Sequence, residues 1–129
     1  MRFLLDSNAI VAILKGNPKL HARLRLHEPR DFGIPAVVAH ELYYGAFKSQ
    51  RIAQNLARVE ALQFEVVHFD RDDARVSGEL RATLAASGSP IGPYDVLIAG
   101  QALARSLSIV TRNTREFRRI PGLHAEDWE

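Results

Sequence analysis

The stretch FLLDSNAIVAIL, residues 3–14, decides the architecture of this chain. Its opening residues, Phe3–Leu5, form a short apolar run that predicts a buried strand, and residues 9–14 are apolar enough for a helix. The acid Asp6 lies between the two. A buried strand that leads directly into a helix is typical of α/β folds, in which helices join parallel strands.

The same alternation continues along the rest of the chain. Further strands are predicted at residues 32–34, 64–69, 108–111 and 123–128, the last of them at the edge of the sheet. Further helices are predicted at residues 19–27, 36–48, 50–62, 70–86 and 94–105, and a loop at residues 87–93. Strands that alternate with helices predict an α/β fold whose parallel sheet is covered on both faces.

Length and composition restrict the class of protein. The chain has 129 residues, of which 47% are hydrophobic, so it can build one core but not two, and we expect a single domain over residues 1–129. It has no cysteine, which excludes disulfides and thiolate metal sites. No apolar run approaches the roughly 20 residues of a membrane span. An acid at position 6 comes too early for a secretory signal, so we expect a cytoplasmic protein.

The net charge is only mildly basic. Seventeen Lys and Arg residues against 15 Asp and Glu residues give a formal charge of +2, which alone does not predict a nucleic-acid partner. Most of the basic residues are arginines, and a patch that binds phosphates is one interpretation of Arg112, Arg115, Arg118 and Arg119. A solvated face of a terminal segment is an equally good interpretation.

Four polar residues fall where the pattern predicts burial or a common edge. Asp6 follows the first strand and Asn113 follows the strand at residues 108–111, and the carboxyl ends of parallel strands meet at one edge of a sheet. Glu41 and Asp95 lie on the apolar faces of their helices. An unpaired carboxylate at such a position would cost several kcal/mol or would become protonated.

Two interpretations compete for these acids. Taken singly, Asp6 is better explained as a helix cap, and Glu41 and Asp95 as partners of arginines. Taken together, they are better explained by a divalent cation that neutralises several carboxylates at once. Because all of the candidate ligands are oxygen atoms, Mg²⁺ or Mn²⁺ is expected rather than zinc.

Four motifs extend along the chain in a characteristic order. They are LLDSN at residues 4–8, AHELYYGA at 39–46, IGPYDVLIA at 91–99 and VTRNTREF at 110–117. In order and spacing they resemble the PIN-domain ribonucleases of the VapC toxin type, and the resemblance covers essentially the whole chain. It implies a three-layer α/β/α sandwich around a mainly parallel sheet.

The resemblance also implies a role for individual residues. Asp6, Glu41 and Asp95 would bind the metal, and Asn113 would be a catalytic residue at the position of the family's fourth acid, often Asp and in many members Asn. With Asn113, the site has one negative charge fewer than it has in members with Asp. His40 departs from the small hydroxyl residue that usually precedes the glutamate, and we assign it no function.

Other residues would support this site. Ser7, Asn8 and Thr111 would orient the metal-binding groups by hydrogen bonds, and Arg112 and Arg115 would contact the flanking phosphates. The implied reaction is hydrolysis of an RNA phosphodiester by a metal-activated water, with Mg²⁺ as the cofactor and Mn²⁺ as a substitute. Such a reaction leaves a 5′-phosphate and a 3′-hydroxyl, and the identity of the RNA is not predicted.

Partners are implied in the same way. Members of the family act as homodimers, and a small VapB-type antitoxin silences them by wrapping the toxin and bringing an arginine or lysine to the acids. We predict that the groove for this antitoxin segment is lined by Ile10, Leu14, Leu24 and Leu42. Burial in the core is the other interpretation of these apolar residues.

Two other kinds of acidic magnesium site fit the sequence less well. A receiver domain needs a lysine after the last core strand, and the lysines of this chain are Lys15, Lys19 and Lys48. A phosphatase with an aspartate nucleophile needs a second Asp two residues after the first, where this chain has Asn8. Two roles remain open beside that of a toxin: a PIN-fold nuclease of RNA processing or decay, and a catalytically inactive binding module.

Overall fold

Five short strands form one sheet in which every neighbouring pair is parallel. The computed structural model describes residues 1–129, and its strands are Phe3–Leu5 (β1), Phe32–Pro35 (β2), Glu65–Val67 (β3), Ser108–Val110 (β4) and Ala125–Glu126 (β5). Their order across the sheet is β3-β2-β1-β4-β5, with β1 at the centre. The predicted α/β fold with a central parallel sheet is therefore confirmed.

Seven helices connect these strands. They are Ser7–Leu14 (α1), Pro18–Leu24 (α2), Ala36–Phe47 (α3), Ile52–Glu60 (α4), Arg71–Ala86 (α5), Pro93–Arg105 (α6) and Thr114–Phe117 (α7), and a 3₁₀ turn at Pro29–Asp31 precedes β2. Because parallel strands are joined by right-handed crossovers, the helices between β1 and β3 and those between β3 and β4 cover opposite faces of the sheet. The result is a three-layer α/β/α sandwich.

The strand order reverses at β1, and this reversal determines where a ligand can bind. From β1 the chain moves outward to β2 and β3, and then returns across the sheet to β4 on the other side of β1. The connections that follow β1 and β4 therefore leave in opposite directions, and a crevice opens at the carboxyl ends of these two strands. Asp6 and Thr111 are the first residues after them.

The strands are apolar because helices cover both faces of the sheet. Every residue of β1 is buried, and Leu4, Leu5 and, in β4, Ile109 are wholly inaccessible to solvent. Near-continuous apolar strands are what a parallel sheet requires. None of the helices has the length and apolarity to cross a membrane.

Helices α5 and α6 approach each other very closely where they cross. A Cβ atom at Gly100 of α6 would lie 2.6 Å from the Cα atom of Ser77 in α5, so only glycine fits at this point. The contact holds α6 firmly against α5. It thereby also holds Asp95, which lies in the first turn of α6.

A buried ion pair fastens the same two helices. Asp73 of α5 is 1% exposed, and its carboxylate accepts hydrogen bonds from Arg105 and Gln101 of α6, each at 3.1 Å. Burial acts to raise the pKa of Asp73, but the hydrogen bonds from Arg105, the Asp70 amide and Gln101 outweigh it and lower the pKa. Asp73 is thus a buried acid whose charge is fully compensated, with a structural role.

Element boundaries differ from the sequence prediction where pairing is one-sided or a cap intervenes. The edge strands β3 and β5 are short, although the sequence predicts strands over residues 64–69 and 123–128, because an edge strand has a neighbour on one side only. Helix α1 begins at Ser7 rather than at residue 9, since the Asp6 side chain accepts a hydrogen bond from the Ser7 amide. The short helix α7 is not predicted.

Candidate active site

Asp6 lies in the crevice between β1 and β4 and is held by hydrogen bonds. Its side chain is buried, with 4% exposed. One carboxylate oxygen accepts from the Ser7 amide at 2.8 Å, and the other accepts from the Thr111 hydroxyl at 2.8 Å and from Asn8 Nδ2 at 3.4 Å. Burial raises the pKa of Asp6, and these hydrogen bonds oppose the rise without cancelling it.

Asn8 and Thr111 join the start of α1 to the end of β4. Asn8 Nδ2 donates to the Thr111 hydroxyl oxygen at 3.2 Å, and Asn8 Oδ1 accepts from the Arg112 amide at 2.9 Å. The Thr111 hydroxyl oxygen also accepts from the Asn113 amide at 3.0 Å. Because both side chains bond to Asp6 as well, the orientation of its carboxylate is determined from two elements of the fold.

Glu41 and Asp95 approach Asp6 from two helices, α3 and α6, and both are half-buried. Burial and repulsion by Asp6 raise the pKa of Glu41, although His40 opposes the rise. Burial raises the pKa of Asp95 from 3.8 to about 7, and repulsion by Asp6 adds to this. Glu116 and Glu41 act on Asp95 in the same direction. The structure therefore brings Asp6, Glu41 and Asp95 into one electrostatic cluster.

A further acid, Glu116 of α7, belongs to this cluster and is absent from the sequence prediction. Its Oε2 accepts from Asn113 Nδ2 at 2.8 Å, and its Oε1 accepts from the Gly92 amide at 3.4 Å. The bond from Asn113 lowers the pKa of Glu116, which also shares a hydrogen bond with Asp95. Asp95 therefore carries the proton of this pair. Asn113 thus positions Glu116, which adds a fourth carboxylate to the cluster.

The three acids predicted from the sequence form no ion pair within the chain. The ion pairs of the structure involve other acids, and none includes Asp6, Glu41 or Asp95. Pairing with an arginine, the alternative explanation for Glu41 and Asp95, is therefore contradicted. Their burial needs another source of compensation.

The cluster suits a hydrated magnesium ion better than a closed metal cage. No three of its carboxylates lie close enough to one point to enclose an ion. Mg²⁺ keeps several water ligands and binds through one or two carboxylates together with the phosphates of a substrate. A buried carboxylate without a counter-charge, beside half-buried ones, fits an ion of that kind.

The predicted arginine patch divides into two pairs. The side chains of Arg112 and Arg115 are exposed at the rim of the site, and Arg115 lines a shallow pocket beside Glu116. Arg118 and Arg119 instead donate to backbone carbonyl oxygens, each at 3.4 Å. Arg112 Nη1 also lies 4.0 Å from Glu129 Oε1, so of the four arginines only Arg115 has a guanidinium group without an ion pair or hydrogen bond, and it lies beside Glu116.

A groove of about 910 Å³ extends from the acids between α1, α3 and α4. It follows α1 from Ser7 to Lys15, a distance of about 12 Å at 1.5 Å per helical residue. Of the four residues predicted to line the antitoxin groove, Leu14 and Leu42 line it, but the prediction is wrong for Ile10 and Leu24. Ile10 is wholly buried in the core, and Leu24 packs against the core outside the groove.

The chain is similar to known proteins over its whole length. The PIN domain family matches residues 3–123. A relative from Salmonella typhimurium, the tRNA(fMet)-specific endonuclease VapC, is 43% identical over 131 aligned residues, which cover 99% of this chain and 98% of the relative.

Solved structures agree with the sequence comparison. A chain of the DNA-bound VapBC complex from Salmonella typhimurium matches with a TM-score of 0.94 and 42% identity, covering 100% of this chain and 99% of that one. A chain of VapBC2 from Rickettsia felis, bound to a promoter DNA fragment, matches with a TM-score of 0.92 and 33% identity over 100% of both chains. This chain belongs to the PIN-domain family and, within it, to the VapC ribonucleases.

Proposed function

We propose that this chain is a Mg²⁺-dependent endoribonuclease, that Mn²⁺ can replace Mg²⁺, and that it is the toxin of a VapBC-type pair. The observation that carries the metal requirement is the cluster of Asp6, Glu41 and Asp95, in which burial raises the pKa of every acid. Repulsion adds to the rise for Glu41 and Asp95. A divalent cation relieves both effects at once, because it replaces lost hydration and neutralises the repulsion.

The acids and the amide have separate parts in this proposal. Asp6, Glu41 and Asp95 would hold a hydrated ion, one or two of them directly and the others, with Glu116, through its water ligands. Asn113 keeps Glu116 in place through its hydrogen bond. When bound, the ion lowers the pKa of water and neutralises charge that develops on the phosphate. The carboxylates must then be ionised, so metal binding displaces the proton that Asp95 holds near neutral pH.

The neighbouring polar groups prepare the acids for this task. The Ser7 amide, Asn8 and Thr111 hold the Asp6 carboxylate in one orientation, so it needs no rearrangement when the ion and substrate arrive. Arg112 and Arg115 bind phosphates on either side of the scissile bond, where a guanidinium forms paired hydrogen bonds with phosphate oxygens.

The proposed substrate is a transfer RNA, with tRNA(fMet) first, since the 43% identical relative carries that specificity in its name. The proposed partner is a VapB-type antitoxin, because the matching solved structures are VapBC complexes. Its C-terminal segment would lie in the groove along α1 and bring a cationic side chain toward Glu41. We also propose a homodimer that acts in the cytoplasm.

The test is cleavage of tRNA(fMet) by the purified chain after treatment with EDTA. We expect cleavage with Mg²⁺ or Mn²⁺, none with EDTA, and none by Asp6→Asn, which keeps the shape of the side chain. Glu79→Gln, at an exposed position of α5, is the matched control and should cleave like wild type. The ends should be 5′-phosphate and 3′-hydroxyl, and cyclic 2′,3′-phosphates would contradict hydrolysis by water.

Growth measurements separate the toxin from the two other roles. Expression of wild type without an antitoxin should arrest growth, and Asp6→Asn should not. Cleavage in vitro without growth arrest would favour a nuclease of RNA processing or decay. A wild type inert with both metals would contradict the enzymatic proposal and favour a binding module.

A further inference from the structure

Two exposed aromatic side chains stand next to the acids, and the proposed reaction does not use them. His40 directly precedes Glu41 on α3, and Tyr94 directly precedes Asp95 on α6. Their ring centroids are 6.1 Å apart, and the ring planes are nearly perpendicular at 88°. Tyr94 is 44% exposed, and His40 is exposed as well, so the core does not explain this pair.

Helix geometry explains why the two rings meet outside the acid cluster. Consecutive residues of an α-helix point about 100° apart, so the residue before an inward carboxylate is directed toward the mouth of the site. Helices α3 and α6 contact each other. Each therefore contributes one acid to the interior and one ring to the entrance, and the two rings form a corner above the acids.

The corner belongs to the groove along α1. His40 and Tyr94 line this groove together with Glu41, and Lys15, Lys48 and Arg58 line it as well. A polyanion can therefore approach along basic side chains and reach the acids past the two rings. The groove also has an apolar part, lined by Val11, Leu14, Leu42 and Val59, which suits aliphatic side chains of a peptide better than a base.

We propose that His40 and Tyr94 form a subsite that holds one unpaired nucleobase of the RNA, beside the scissile phosphate. The base stacks on the face of Tyr94, and because the rings are perpendicular, its edge then faces His40. Aromatic side chains bind unstacked bases in this way, and a ring nitrogen of histidine can form a hydrogen bond with a base edge. This subsite rests on the proposed ribonuclease function.

The first experiment measures cleavage of a short single-stranded RNA that spans the cleavage site mapped with tRNA. Tyr94→Leu should lower kcat/KM about tenfold or more, mainly through KM, while Tyr94→Phe should match wild type. Phe69→Leu removes an exposed aromatic ring outside the groove and is the matched control. His40→Ala should reduce the preference among the four bases at the flanking position.

An abasic nucleotide distinguishes stacking from a general effect on the fold. With the flanking base removed, wild type and Tyr94→Leu should cleave equally well. The subsite is overturned if Tyr94→Leu cleaves the intact RNA like wild type. It is also overturned if the variant loses as much activity, relative to wild type, on the abasic RNA as on the intact RNA. Weakened antitoxin binding with unchanged cleavage would identify the corner as a peptide contact and would also overturn it.

A second readout does not depend on cleavage. The fluorescence of 2-aminopurine in place of the flanking base should fall when the RNA binds Asp6→Asn at saturation, and should fall less when Tyr94→Leu is added to that variant. Equal quenching in both proteins contradicts stacking on Tyr94. If wild type cleaves no RNA, the ribonuclease proposal fails, and the 2-aminopurine signal alone then decides the subsite.

Discussion

Replacing Asp95 by asparagine should make the metal-free protein more stable, although Asp95 belongs to the proposed active site. The pKa of Asp95 is about 7 in the folded chain, against an ordinary value of 3.8. Above pH 7 the fold therefore contains a charge that it disfavours, and conversion at 1.36 kcal/mol per pKa unit gives about 4 kcal/mol. Because the side chain is only half-buried and water screens it, we expect about 2 kcal/mol.

The direction of the pH dependence follows from where the proton is held. The folded chain keeps the Asp95 proton up to about pH 7, whereas the unfolded chain loses it near 3.8. The contribution of this group to stability therefore falls as the pH rises from about 4 to about 7 and is constant above that. Asp95→Asn lacks the charge, so its stability advantage over wild type should grow across this interval and remain constant above it.

Thermal unfolding in EDTA, followed by circular dichroism between pH 4 and pH 8, measures this effect. At pH 8 the Tm of Asp95→Asn should exceed that of wild type by about 6–10 °C, as ~2 kcal/mol implies for a chain of this size. At pH 4 the two should coincide, and Glu79→Gln should follow wild type throughout. No gain at pH 8, or an equal gain at pH 4, would refute the reasoning.

Three further outcomes are expected. Saturating Mn²⁺ or Mg²⁺ should stabilise wild type, by about 2.7 kcal/mol at one hundred times the Kd, and should hardly change the Tm of Asp6→Asn; equal shifts would remove Asp6 from the site. Gly100→Ala should lower the free energy of unfolding, measured with urea, by about 1–3 kcal/mol, because its methyl group meets the backbone of α5. Gly78→Ala, whose methyl group meets no atom within 4 Å, should be slightly stabilising. Asp73→Asn should lower the free energy of unfolding by about 1.5–3 kcal/mol, because it weakens the charged hydrogen bonds with Arg105. If Asp73→Asn cost as much in a chain that also lacks Arg105, the pairing would be contradicted.

The central strands and three of the clustered acids were open to prediction because burial leaves a visible pattern. β1 and β4 are buried on both faces, so they read as short apolar runs. Glu41 and Asp95 are conspicuous as carboxylates among apolar residues at helical spacing. Where the structure buries a polar group among apolar neighbours, the periodicity of the sequence reveals it.

Glu116 escaped prediction because its surroundings in the sequence are ordinary. It lies on α7, a helix of one turn, which is too short to show an apolar periodicity. Arginines precede and follow it nearby, so it reads as a surface acid. The available signal was its spacing of three residues from Asn113, at which side chains on one helical turn meet.

The groove shows a second limit of sequence patterns. Helix α1 is eight residues long and apolar on nearly every side, so its periodicity does not tell which residues face the core. Ile10 is wholly buried, whereas its neighbour Val11 is 40% exposed and lines the groove. That choice depends on where α3 and α4 pack, which only the tertiary structure decides.

The central position of β1 has a consequence for synthesis. The strand is made first, yet its neighbour β4 and the Thr111 hydroxyl that orients Asp6 follow about one hundred residues later, with a separation of 105 positions. Contacts between such distant segments form late. A nascent chain therefore cannot orient the Asp6 carboxylate through Thr111 until β4 has left the ribosome and paired with β1.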